Sequence, residues 1–174
     1  MADRNAFTAV VQNRLVSWRR TAFLMCGDWA RAEDLVQTAL LRMYGKWHRI
    51  DPAGVDAYAR RVITRLAIDE SRRAYRRSEH STSELPDRPA ADTDQASGLD
   101  VRAALHRLSA THRAVLVLRF YLDLSIADTA AALDVGEGTV KSQTSRGLTA
   151  LRAAIADTGP VAAAAYPTVK ELPL

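Results

Sequence analysis

One cysteine, Cys26, occurs in 174 residues, which excludes a disulfide framework and a thiolate metal site. The four histidines, His48, His80, His106 and His112, stand at no metal-ligand spacing, so neither a metal nor another cofactor is expected. Aromatic residues make up only 6% of the chain while apolar residues reach 48%, much of that alanine. Such a balance suits helices packed on helices better than sheets. No apolar run approaches the roughly 20 residues that cross a bilayer, and the opening "MADRNAF" lacks the basic-then-apolar pattern of a secretion signal. These absences predict a soluble, cytoplasmic protein. Carboxylate pairs are few and badly placed for catalysis: Glu33/Asp34 and Asp69/Glu70 are adjacent on helical stretches, point apart, and lack a nucleophile–base set. No catalytic residue is expected, and the chain is not read as an enzyme. Lysine is also scarce, since of 24 basic residues only Lys46, Lys141 and Lys170 are lysines. Arginine suits phosphate and base-edge contacts, though a GC-rich genome produces the same bias. The formal charge of +4 suggests an anionic partner.

What the chain does have is helical periodicity in two blocks. A first helix is predicted from about Arg4 to Met25, stopping at Gly27. The next begins after Asp28, a good N-cap. Its apolar positions Ala32, Leu35, Val36, Ala39, Leu40, Met43 and Trp47 recur at three- and four-residue spacing, the mark of one buried face. "HRIDPAGV" reads as a turn, and a third helix follows from about Asp56 to Arg77 with Tyr58, Val62, Ile63 and Leu66 inward. Trp18, Trp29 and Trp47 are expected in the core. The segment from Ser78 to Gly98 holds Pro86, Pro89 and many Ser, Thr and Asp residues, a composition that favours a flexible acidic linker over a surface loop. Beyond it lie two more helices, with Ser109 capping the second, and then a helical pair. The residues from about Ala156 onward show no period and are expected to form a disordered tail.

The helical pair is "SIADTAAALDVGEGTVKSQTSRG", Ser125 to Gly147. A helix-turn-helix requires a tight turn through a left-handed residue and a second helix free to enter the major groove. Ala130, Leu133, Val135 and Val140 occupy packing positions. Asp134 stands where glycine is usual, and Asp is among the few other residues that tolerate the left-handed region. The second helix is predicted to bury Val140, Thr144, Leu148 and Leu151 and to turn Thr139, Lys141, Ser142, Ser145, Arg146 and Thr149 outward. Basic and hydroxyl side chains on that face suit phosphates and base edges. A plain solvated face is the alternative.

"LVLRFYLDLSIADTAAALDVGEGTVKSQTSRGLTALR", and within it Gly138 to Ser142, resembles region 4 of bacterial RNA polymerase sigma factors of the extracytoplasmic-function (ECF) group, in the sigma-70 family. "AEDLVQTALLRMY" resembles the region 2 helix that grips core polymerase, and "AYARRVITRLAIDESRR" the promoter-recognition helix of the same region. Together the similarity spans roughly Phe7 to Arg152, and Gln143-Thr144 resembles an actinobacterial SigE-like branch. The resemblance implies an all-α protein of two small helical domains: region 2 over residues 4–77, a linker over 78–98, region 4 over 99–155 and a tail over 156–174. It implies core polymerase binding through Glu33, Asp34, Gln37 and Leu41. The −10 element would meet Tyr58, Arg60, Arg61, Arg65, Arg72 and Arg73, with the turn after Trp47 and His48 capturing a flipped base. The −35 element would meet Thr139, Lys141, Ser142, Ser145 and Arg146. Many ECF factors carry asparagine where Arg65 stands, so base preference does not transfer. The implied partners are core RNA polymerase and promoter DNA, with an anti-sigma factor left open. Twenty-one linker residues reach at most about 70 Å and average on the order of 25–30 Å as a coil, enough for two DNA sites nearly two turns apart. The rival expectation is a stand-alone helix-turn-helix regulator binding DNA as a dimer, although no dedicated dimerisation helix is evident.

Overall fold

The computed structural model describes residues 2–80 and 96–157. Most of the segment assigned to a linker, and the tail from residue 158, lie outside the described residues. Every regular element among those described is helical, in agreement with the composition.

Three helices form the first block: α1 (Ala2–Cys26), α2 (Trp29–Tyr44) and α3 (Val55–His80). Helix α1 presents Phe7, Val11, Leu15, Trp18, Ala22 and Met25 to the core, spaced by fours and threes. It ends at Gly27, whose φ of +80° suits a residue without a Cβ. Asp28 then caps α2 by accepting from the Arg31 backbone N–H at 2.7 Å. The buried stripe of α2 is Ala32, Leu35, Val36, Ala39 and Met43, with Leu40 and Trp47 half-buried beside it. Two 3₁₀ turns, Trp47–Arg49 and Pro52–Gly54, carry the chain into α3. There Val55, Ala59, Val62, Ile63 and Ala67 are buried and Tyr58 and Leu66 half-buried. The Trp18 indole N–H donates to the Asp56 carboxylate at 3.1 Å, tying α1 to the start of α3.

The second block holds α4 (Ala96–Arg107), α5 (Ala110–Leu116) running into a wider π turn (Val117–Tyr121), α6 (Ile126–Leu133) and α7 (Glu137–Ala156). Ser109 caps α5 and Ser125 caps α6, as their side-chain oxygens accept from the His112 and Asp128 N–H groups. Helices α3 and α4 reach three residues into each end of the span 78–98, to His80 and from Ala96. Gly147 is buried where α7 crosses α5; a Cβ there would come within 3.3 Å of Leu116.

The two blocks are packed against each other. Val117, Leu118 and Ala132 join the same apolar core as α1–α3, and Leu105, Leu122, Leu124 and Leu133 pack on it from the second block. A smaller core of Ala104, Leu108, Leu116 and Ala154 lies within the second block. Two tryptophan expectations need correction. Trp29 is 49% exposed: it stacks on Phe23 at a centroid distance of 4.2 Å but sits at the first residue of α2, on an open hollow it shares with Val16, Arg19 and Arg20. Trp47 is half-buried, edge-on to Phe7. Val135, expected to pack, is 40% exposed, because it follows the left-handed residue and leaves the helical stripe.

Candidate nucleic-acid interface

The α6–α7 turn runs through Asp134 at φ 60°, ψ 48°, the left-handed conformation the motif requires. The N–H groups of Asp134 and Val135 both close on the Ala130 carbonyl and finish α6. Ser125 and Asp128 cap its other end reciprocally, the Ser125 hydroxyl donating to the Asp128 carboxylate at 2.6 Å and accepting from the Asp128 N–H at 3.0 Å. Both helix ends are therefore fixed by local hydrogen bonds, which sets the angle at which α7 leaves the turn.

Val140 is fully buried against this frame. Around it Thr139, Lys141, Ser142, Ser145, Arg146 and Thr149 are all exposed, while Thr144, Leu148 and Leu151 are half-buried. Nothing lies within 4 Å of where a Cβ would stand at Gly136 or Gly138, so the first turn of α7 opens to solvent. The Ser142 hydroxyl donates to the Thr139 carbonyl at 2.9 Å and that of Thr149 to Ser145 at 3.1 Å. Their oxygen lone pairs stay free to accept, and a χ1 rotation re-aims either proton.

On α2 the outward positions are Asp34, Gln37 and Leu41, the last 75% exposed. Tyr44, 50% exposed, continues the same stripe at the next helical spacing; the three- and four-residue spacing from Asp34 would have found it. Glu33 departs from this stripe. It is half-buried and pairs with Arg19 of α1 at 2.6 Å.

The residues assigned to the −10 element do not share one surface state. Arg72 and Arg73 are exposed, Arg60 is half-buried, and Tyr58 packs against the core. Arg61 and Arg65 reach across to the second block, where both pair with Asp134, Arg61 at 3.2 Å. Sequence reasoning missed this contact between positions 73 residues apart.

A second polar contact joins the blocks at the end of α1. The His106 ring lies over Gly27, so that a Cβ there would come within 2.9 Å of it. Arg113, 8% exposed, donates to His106 Nδ1 at 2.8 Å, which fixes a neutral ring protonated at Nε2. Burial, and then the Arg113 charge, hold the His106 pKa down to about 4. Burial also lowers the Arg113 pKa and raises that of the Cys26 thiol, which donates to the Asp28 carbonyl at 3.2 Å. Among the described residues no three His, Cys, Asp or Glu side chains gather into a possible metal site, and no helix is long and apolar enough to cross a membrane.

A chain whose described regular elements are all helical and which presents a helix-turn-helix with a basic, hydroxyl-rich outer face belongs to the class of nucleic-acid-binding transcription proteins. Similarity to known proteins narrows that class. Residues 11–77 match the family model described as Sigma-70 region 2, and residues 104–153 match Sigma-70, region 4. The RNA polymerase sigma-E factor of Streptomyces coelicolor is 40% identical over 158 residues, covering 87% of each chain. The ECF RNA polymerase sigma factor SigL of Mycobacterium tuberculosis is 34% identical over 158 residues, covering 85% of this chain and 87% of that one. Among solved structures, the Bartonella quintana sigma factor RpoE, co-crystallised with the anti-sigma factor NepR, superposes with a TM-score of 0.73. It covers 86% of this chain and 96% of its own at 24% identity, which speaks to the fold. The chain belongs to the sigma-70 family of RNA polymerase sigma factors, in its ECF group.

Proposed function

We propose that this protein binds core RNA polymerase in the cytoplasm and directs initiation at promoters of two elements, without catalysing a reaction itself. The outward stripe Asp34, Gln37 and Leu41, with Glu33 beside it and Tyr44 continuing it, meets the polymerase. Thr139, Lys141, Ser142, Ser145 and Arg146 meet the −35 element in the major groove. The arginines of α3, with Tyr58, meet the −10 element and the strand freed on melting, aided by the turn after Trp47. An anti-sigma factor is a further partner by likeness to the co-crystallised relative. The residues between the blocks then serve as the tether that spans the two DNA sites.

The observation that carries this reading is the α7 surface: five polar or basic side chains surround the fully buried Val140 and all turn to solvent. Arginine and lysine on such a face contact guanine edges or phosphates, and a bidentate base contact discriminates by about 1–3 kcal/mol. The testing pair is Arg146→Ala with Lys141→Ala against Asp34→Ala with Gln37→Ala. The first pair is expected to cut −35-dependent transcription while core binding stays intact, and the second to weaken core binding while the thermal midpoint stays put. Loss of core binding in the α7 variants would refute the division of roles.

A further inference from the structure

Resting on the function proposed above, we infer that Asp134 is an interdomain latch that masks the −10-side arginines of the free protein. Two features of the sequence meet at one point. Asp134 stands in a left-handed turn where glycine sits most easily, and Arg65 belongs to the arginine run of α3. In the folded chain the two are partners. Arg61 and Arg65 are one helical turn apart on α3, so their guanidinium groups face the same way. Arg61 pairs with Asp134 Oδ1 at 3.2 Å and Arg65 with Oδ2. One carboxylate thus has both oxygens taken by two arginines from the opposite block.

A carboxylate engages arginine with the same planar, charge-assisted geometry that a phosphate oxygen pair uses. While Asp134 holds them, Arg61 and Arg65 are unavailable to DNA. The outer face of α7 is not covered by this arrangement: Lys141, Ser142, Ser145 and Arg146 remain exposed in the same closed structure. The latch therefore blocks one half of promoter reading and leaves the other open. Full access to the arginines comes when α6 leaves α3 and the core of Val117, Leu118 and Ala132 against α1–α3 parts with it. The apolar contact supplies the closed arrangement, and the ion pairs bias it and make it sensitive to salt and to competing phosphates.

The three side chains are all more than a third exposed: 45% for Arg61, 42% for Arg65 and 63% for Asp134. Exposed pairs are individually weak, so the latch is a bias rather than a lock, worth roughly three- to tenfold in the closed-to-open ratio. The apparent affinity of the masked site scales with the open fraction.

Asp134→Gly is the informative variant because glycine takes φ 60° without strain and keeps the turn; Asp134→Asn keeps both the turn and the side-chain shape. Asp123→Asn, at another positive-φ turn position, removes one negative charge and neither ion pair. The full-length free protein is followed by small-angle scattering and by its affinity for a single-stranded DNA oligonucleotide, both at low salt. Asp134→Gly and Asp134→Asn are expected to enlarge the radius of gyration and to raise that affinity about three- to tenfold beyond Asp123→Asn. An unchanged radius, or an affinity gain no greater than that of Asp123→Asn, overturns the latch. Promoter transcription by the parent protein with core polymerase is read separately. Its absence would refute the proposed function and leave the scattering comparison standing.

Discussion

Leu41→Ala separates a residue that holds the fold from one that meets a partner. Leu41 is 75% exposed on α2, whereas Met43, two positions on, is fully buried. Burying a leucine side chain completely contributes about 1.5–3 kcal/mol, so the exposed three quarters leaves roughly 1–2 kcal/mol to be gained against a partner. If core polymerase covers this stripe, Leu41→Ala weakens core binding about 5- to 30-fold. The free protein loses little, since surface substitutions stay within about 0.5 kcal/mol, and the thermal midpoint should hardly move. Met43→Ala is the counterpart: a core truncation costing about 2–5 kcal/mol out of a typical total of about 5–15. The assay is titration of fluorescent protein with core polymerase, beside a thermal melt of each variant. A Leu41→Ala protein that melts several degrees lower yet binds core normally would refute the assignment of this face.

The buried His106–Arg113 contact predicts a pH dependence. The His106 pKa is held near 4 in the fold against an ordinary 6.5, so between those values the unfolded chain carries a proton the folded chain does not. Stability is therefore fully present above pH 6.5 and falls as pH drops through that window; His106→Gln should flatten the thermal midpoint measured from pH 7 to 5. Gly27→Ala places a Cβ at φ +80° and within 2.9 Å of the His106 ring, and should lower the urea midpoint by the equivalent of about 1–3 kcal/mol.

Much of the fold was legible because its signals are local. Asp28 and Ser109 cap the helices that follow them, and the stripe from Ala32 to Met43 is buried as its spacing requires. Asp134 adopts the left-handed conformation that its place between Leu133 and Val135 demands. The failures arise where position in three dimensions overrides residue type. Trp29 reads as core by its chemistry, but at the first residue of α2 it stacks on Phe23 and stays 49% exposed. Glu33 is next to Asp34 along the chain, and its ion pair with Arg19, a 100° step around the helix, is a contact no local pattern announces. The pairing of Asp134 with Arg61 and Arg65 depends on how α3 and α6 dock, which no local pattern encodes. Arg113 likewise shows nothing in its heptad that foretells a buried guanidinium over His106.

Mapping the 5′ ends of transcripts made from genomic DNA by core polymerase, with and without this protein, tests its role most directly. Discrete start sites that appear only when the protein is added, each preceded by a shared pair of short elements, are expected. The absence of protein-dependent start sites would contradict the assignment, as would a free protein that binds those promoters as tightly as it does with core.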